Sequence, residues 1–413
     1  NTPGYLYTAG LSYEKAKQWG EAVRVYKLVI TQFPKHQYAP EAAFSVPIIE
    51  EKQGNKASMA TAYELFATQY PNDKSKVSKA YLRAAWYYDS TKNQKKADEL
   101  YAKLIAFYKD GQNAVTIDAS IPAEAYYRMG LIRTDSANAI KLPATTDIKK
   151  IAEAAKARTE ALKKANEYFD NSIKLLIEEW TIKSASQEAD NDLKLLMDVR
   201  AIEPPQGANL KAIQERILFR VSVAKGLIPT LALKAAKQYE SFLALTRKAG
   251  IQNEQTKAAG QTILLTYYYQ GEGFESIGKA IMEEPCPSKA KQGSDQYNEE
   301  CEYHKAQKED NMISFQKLSV EKGYAPGVEK AAEMGIVGPI LDSLKERIKV
   351  IAPDNKIVET QVVERQVDAA PQVKVDKDLE RAMSRAKDIA EGDLDQEEKV
   401  RALKAMKIEG ERS

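Results

Sequence analysis

The chain has 413 residues, long enough for a large core and more than one structural unit. Its 61 basic and 59 acidic residues leave a formal net charge of +2, which argues against the clustered basic footprint of a nucleic-acid-binding protein. No apolar run approaches the roughly 18 residues that a membrane-spanning helix requires.

The first residues, Asn1-Thr2-Pro3-Gly4, contain neither a Met nor a hydrophobic leader, which reads as a processed or trimmed form. A repeat follows. Tyr26, Tyr63 and Tyr101 stand 37 and 38 residues apart, each in the same local pattern. Ala22, Met59 and Ala97 precede them by four residues, and Val29, Phe66 and Leu104 follow by three, which marks one face of a helix. Phe33-Pro34 and Tyr70-Pro71 end the first two copies, because proline cannot continue a helix. Upstream, Gly10 and Tyr13 stand before Ala22 as Ala85 and Tyr88 stand before Ala97, so each unit is a helix pair with a small residue at the close approach. The second copy has Pro47 and Glu50 there, which predicts a kinked or short first helix. Ala125-Tyr126-Tyr127-Arg128-Met129-Gly130 reads as the first helix of a fourth unit.

Small and aromatic residues at these offsets resemble the tetratricopeptide repeat (TPR), a helix-turn-helix unit of about 34 residues. The resemblance covers residues 5–135 and implies an all-α fold, a TPR-like helix-turn-helix superhelix (α-solenoid). Three regions are expected: the array over 1–135, irregular helical repeats over 136–352 with a cysteine-containing loop at 283–305, and an extended tail over 353–413.

Past Gly130 the register breaks at a turn-like stretch, 140–147, that holds Pro143. One long helix is then expected over 148–180, with Ala165, Phe169, Ile173, Leu176 and Trp180 on one stripe. Ala165 and Phe169 repeat the small-then-aromatic spacing, which makes this the second helix of the fourth unit after an insertion. Pro204-Pro205 marks a break, and 210–225 with 230–247 read as an antiparallel pair whose Ala236, Tyr239 and Leu243 face inward. Helices over 255–270 and 273–282 follow, with Gly271-Glu272-Gly273 taken as a helix-ending turn. Tyr267, Tyr268 and Tyr269 point to three sides of their helix, mostly into core. Helices over 310–322 and 326–351 complete the body, with a joint at Gly338-Pro339. In the tail, Leu379, Met383, Ala386 and Ile389 line one short amphipathic helix, and Val400, Leu403, Ala405 and Met406 a looser one beyond Gly392-Asp393. Such a tail either folds against a partner or caps the end of the array.

The cysteines, Cys286 and Cys301, lie close together in a Pro-, Gly- and Ser-containing segment, which favours a disulfide worth about 3 kcal/mol by the chain-entropy model. Two free thiols, or a three-ligand metal set with His304, are the other readings; the paired C-x2-C spacing of zinc modules is missing. A disulfide would place the protein in an oxidising compartment. The two histidines, His36 and His304, offer little for acid-base or triad chemistry. Neither a phosphate-binding G-x-x-x-x-G-K-[ST] loop nor a G-x-G-x-x-G turn occurs, so no catalytic, cofactor or metal site is assigned.

One surface constellation emerges from the repeat alignment. The resemblance implies that first helices line the concave face. There, Tyr7, Phe44, Leu82 and Tyr127 form one row and Leu11, Ile48, Trp86 and Leu131 a second, four residues on and hence on the same helix side. Glu14, Glu51 and Asp89, with Thr134 and Asp135 in the last copy, lie three residues further on. The expectation is an apolar-aromatic groove with an acidic edge, suited to an amphipathic helix or extended segment carrying Lys or Arg. Alternatively, the stripe packs against neighbouring helices or lies under the C-terminal half.

Tyr26-Lys27-Leu28-Val29-Ile30-Thr31-Gln32-Phe33-Pro34 and its second copy, with their long period, also resemble bacterial envelope TPR proteins. These are of the type of the outer-membrane β-barrel assembly lipoprotein and the Tol-Pal coordinator. That resemblance implies a non-enzymatic periplasmic adaptor of a Gram-negative cell envelope that binds protein partners without a cofactor. No lipid-attachment Cys stands at the start of the sequence, so membrane association would be indirect or through an anchor outside it. The competing expectation is a structural subunit buried in a large assembly and held by its second half and tail.

Overall fold

The structure, a computed structural model, describes residues 2–110 and 113–364. Its first seven helices form the regular array: α1 (Thr2–Lys15), α2 (Trp19–Gln32), α3 (Ala39–Lys52), α4 (Lys56–Gln69), α5 (Lys74–Ser90), α6 (Gln94–Lys109) and α7 (Ser120–Asn138). Each packs on its neighbour in sequence, the one-dimensional stacking of a helical solenoid. The repeat residues explain how. A Cβ on Gly10 would overlap the Tyr26 ring, so glycine there lets the wholly buried Tyr26 lie flat against α1. Tyr63 and Tyr101 take the same place in α4 and α6. Burying each such side chain contributes about 1.5–3 kcal/mol. The turn inside each pair places Lys17, Gly54 or Lys92 in the left-handed region, with φ of 56°, 79° and 62°. These residues occupy equivalent repeat positions, and only one is the glycine that this conformation prefers.

Pro47 does not shorten its helix: α3 has 14 residues, as α1 does, and Pro47 is buried at the close-approach position. The missing N–H removes one intrahelical bond, while the ring packs where a small residue stands in the other units.

The fourth pair is α7 with α8 (Ile148–Ile173). A Cβ on Gly130 would overlap the Phe169 ring, which repeats the contact between Gly10 and Tyr26 across a longer connection. Asp147 caps α8 by accepting from the backbone N–H groups of Lys149 and Lys150. The helix expected over 148–180 is two helices. Leu176 adopts a left-handed conformation (φ 56°) and α9 (Glu178–Arg200) begins beyond it. Trp180 therefore leaves the stripe of Ile173 and lies tilted against Tyr127, centroids 5.5 Å apart. No glycine or proline signals this turn in the sequence.

Further on, α10 (Leu210–Ser222) runs through a five-residue π turn, Val223–Leu227, straight into α11 (Ile228–Lys248). The residues bounding the π turn, Ser222 and Ile228, are both right-handed helical, so the expected antiparallel pair is one continuous path. Pro229, at the start of α11, removes an N–H donor, and the wider turn accommodates the loss. α12 (Glu254–Met282) is likewise one helix, with Gly271 and Gly273 in its interior. Tyr324 packs flat on Gly271, and Ala224 comes within 3.2 Å of where a Cβ on Gly273 would be. These glycines serve helix contact rather than a helix end.

The cysteine loop is shorter than 283–305, because α13 (Asp295–Ser319) begins within that range and carries Cys301. It continues through a second π turn, Val320–Tyr324, into α14 (Ala325–Met334). Gly335 (φ 67°) and Gly338 (φ 133°) then break the path before α15 (Pro339–Ile351), which confirms a joint at Gly338-Pro339 and divides the helix expected over 326–351. At the start of the tail, Ile357, Val358 and Val362 pack on the core formed by α9, α11, α12, the second π turn, α14 and α15. The two amphipathic helices expected within 379–406 lie outside the described residues.

Candidate partner-binding face

The face shared by α1, α3, α5 and α7 holds the residues singled out in the repeat alignment, at unequal depths. Phe44 is only 8% exposed and packs edge-on against Phe66 and Tyr63, centroids 5.0 and 5.6 Å away, so it belongs to the core. Tyr127 is half-buried between Phe169 and Trp180. Tyr7 stacks on Tyr38 with centroids 4.9 Å apart and rings 4° from parallel. Ile48, Leu82 and Leu131 are half-buried. Leu11 and Trp86 remain, 38% and 43% exposed. The row three residues before the small position is thus largely taken up in packing within and between units, while parts of the second row face solvent.

The acidic edge is ion-paired along the array. Glu14 of α1 meets Lys52 of α3 at 3.2 Å, Glu51 of α3 meets Arg83 of α5 at 3.7 Å, and Asp89 of α5 meets Arg128 of α7 at 4.0 Å. Glu14 also accepts a hydrogen bond from the Tyr26 hydroxyl at 3.2 Å. Burial, with Glu14 adding to it, pushes the Tyr26 phenol far above its ordinary range, so the hydroxyl remains a donor. Trp86 lies between two of the cations, its ring centroid 5.6 Å from Arg83 and 5.8 Å from Arg128. The face therefore presents alternating charges around an aromatic anchor, not a free acidic strip. Each pair is partly exposed and contributes about 0–1 kcal/mol. The repeat alignment tracked the acids but not their partners: Arg83 and Arg128 stand two residues before the small-residue position, where the first two units have Thr8 and Ser45, while Lys52 lies five residues after it. Thr134 departs from the row, since it is buried and accepts a hydrogen bond from Asn191 Nδ2 at 3.0 Å.

Cys286 and Cys301 form a disulfide, their Cα atoms 5.3 Å apart, which removes the thiolates that a metal set with His304 would require. Among the described residues, no helix is long and apolar enough to cross a membrane, and no three His, Cys, Asp or Glu side chains converge as a metal site would need.

Comparison with known proteins agrees with the helix-pair architecture. The tetratricopeptide repeat family model matches residues 5–36, which take in most of α1 and all of α2. No curated protein matches. Among solved structures, a tetratricopeptide repeat protein from Parabacteroides merdae is 15% identical, with a TM-score of 0.27, covering 64% of this chain and 98% of its own. The TPR2AB domain of yeast Sti1, solved as a complex with pHSP90, is 14% identical, with a TM-score of 0.28 and coverages of 75% and 98%. Yeast Tom70 is 15% identical, with a TM-score of 0.26 and coverages of 99% and 96%. At these scores the likenesses carry no inference about role. The fold is an all-α, TPR-like solenoid, and such arrays are protein-interaction scaffolds.

Proposed function

We propose that this chain is a non-enzymatic adaptor that binds a protein partner along the face of α1, α3, α5 and α7, in the envelope of a Gram-negative bacterium. The observation that carries the reading is Trp86, a large exposed aromatic set between Arg83 and Arg128 on a face otherwise occupied by its own ion pairs. Exposed Trp flanked by Arg is the composition of a binding hot spot. An extended or helical segment with two spaced apolar side chains and charges of both signs would fit, one apolar group meeting Trp86 on α5 and the other Leu11 on α1, with the charges competing for the paired edge. The disulfide supports an oxidising compartment, in line with an envelope protein.

The test is affinity purification from native membranes with the full chain as bait, beside a bait carrying Leu11→Ser and Trp86→Ser. These two residues are exposed, so helicity measured by circular dichroism should be unchanged, whereas Phe44 and Tyr127 are packing residues unsuited to the test. Envelope proteins captured by the first bait and lost from the second would support the face. Their retention would move the binding site elsewhere.

One observation favours a second reading, a structural subunit gripped through its second half: Leu210, Leu218 and Leu233 of α10 and α11 are 41%, 66% and 51% exposed. Retention of partners by the first double variant and their loss on Leu218→Asp with Leu233→Asp would favour it.

A further inference from the structure

A cleft of about 300 Å³ opens where the end of α9, the junction of α10 with its π turn, and the middle of α12 meet. Its apolar wall includes Val199, Ile202, Phe219 and Val223. Its charged groups are Arg200, Arg220 and Lys279 against a single carboxylate, Glu272. Glu272 is engaged by Arg200, whose guanidinium also lies 3.3 Å from the Tyr269 ring centroid. Lys279 reaches Glu275 at 4.0 Å. Arg220 has no counterpart. It is the one arginine among the described residues whose guanidinium makes no hydrogen bond, ion pair or ring contact, and its Nε is buried without an acceptor.

The other buried guanidinium groups have partners at their terminal nitrogens, although the Nε of Arg158, like that of Arg220, is buried without an acceptor. Arg158, 2% exposed, reaches Asp198 at 2.6 Å as well as Asn138. Arg216, one turn before Arg220, is held by Glu283 and by the Pro205 and Gly207 carbonyls. Burial and the like charge of Arg216 both disfavour the charged form of Arg220. A buried charged donor without an acceptor is unfavourable, and an anion entering the cleft would relieve it.

The two π turns sharpen the point. Val223-Ala224-Lys225-Gly226-Leu227-Ile228-Pro229 and Val320-Glu321-Lys322-Gly323-Tyr324-Ala325-Pro326 are copies of one motif, and both turns pack on α12. At the second copy, Glu275 accepts from the Tyr324 hydroxyl at 2.5 Å and from Arg347 Nε at 3.1 Å, so that site is closed by the protein's own groups. Three residues before the first copy, Arg220 is left unpaired beside the cleft; the second copy has Lys317 at that place. π turns frequently mark functional positions in helices.

We propose that the cleft between α9, α10 and α12 binds a small amphiphilic carboxylate, its headgroup on Arg220 and its apolar body against Val199, Ile202, Phe219 and Val223. A planar guanidinium matches a carboxylate in a two-pronged bond, and the volume lies at the small end for ligand pockets. Free inorganic phosphate would leave the apolar wall unused. The site is separate from the partner-binding face, so the two proposals stand or fall independently.

The probe is octanoate, titrated calorimetrically into the full chain beside octylamine and inorganic phosphate. Octanoate alone should bind, Arg220→Gln should weaken it roughly tenfold or more, and Arg220→Lys should fall between. Without ligand, the melting temperature of Arg220→Gln should equal or exceed that of the original chain, since an unmatched charge is removed. A lower unliganded melting temperature for Arg220→Gln would make the arginine a structural group and overturn the proposal. So would absence of octanoate binding, equal affinity in Arg220→Gln, equal binding of octylamine, or phosphate binding as tight as octanoate.

Discussion

The two halves of this solenoid are built from the same helix-pair unit but stabilised differently. In α1–α7 the buried residues are almost all apolar; Ser78, Asn113 and Thr134 are the polar exceptions within residues 2–138, and charges lie in ion pairs along the edges. From α8 onward the interior takes in Arg158, Glu188, Asn191, Asp192 and Glu275, each 7% exposed or less. Interdigitated small and aromatic side chains demand a strict period. Buried charges demand specific partners from distant segments, such as Asp192 with Lys234 at 2.7 Å, and these constrain the chain without any period. The first half is therefore a repetitive stack held by its period, while the second is a tailored body held by specific long-range pairs.

The largest effect that separates the halves should come from the apolar core of the first. Phe66→Ala removes a ring 1% exposed between Phe44 and Tyr70, and should cost about 3–5 kcal/mol in urea unfolding, with little change between mildly acidic and mildly basic buffer. A strong pH dependence of that loss would break the comparison. Somewhat smaller is Glu275→Ala in the second half. It leaves Arg347 and the Tyr324 hydroxyl without their acceptor and should cost roughly 3 kcal/mol, by the same measurement. A loss under about 1 kcal/mol would mean that water replaces the carboxylate and that the second half does not depend on such matching.

The smallest effect is a pH slope. Burial, with Asp170 and Asp192 adding to it and Lys234 opposing, raises the Glu188 carboxyl from 4.5 to about 8. The folded chain then keeps a proton that the unfolded chain releases. Its stabilising contribution is full below pH 4.5 and is lost as pH rises through about 8. Over that window stability should fall as pH rises, because of this group. Glu188→Gln should flatten the slope. An unchanged slope in that variant would assign it to other groups.

In α1–α7 much was legible from residue order alone. Gly10 with Tyr26, and Gly130 with Phe169, are contacts that spacing announces, because a glycine and an aromatic at repeat offsets must meet when the units stack. The same signal was present at Gly271 and Tyr324, but the connection between them is long enough to hide the pairing. The doubled Val-x-Lys-Gly-x-x-Pro motif was also visible in the sequence and marks two equivalent places, but its Gly and Pro read as helix ends and only the structure shows that the helices continue through Pro229 and Pro326. The candidate face divides similarly. Its apolar rows followed from helix periodicity, but which members were core and which were surface depended on neighbours. Phe44 is covered by α4, whereas Trp86 is left between two arginines.

By itself, then, the sequence determined that the chain is a helical array, where its units begin, and which small residues mark close approach, since these follow from local periodicity and steric size. Only the tertiary structure decided that the acidic row pairs with bases one unit away, that Leu176 ends α8, that Arg220 is left without an acid, and that Cys286 meets Cys301. Those outcomes depend on which charges and backbones are brought together across space, and long-range electrostatic and packing partners leave no period in the chain to be read.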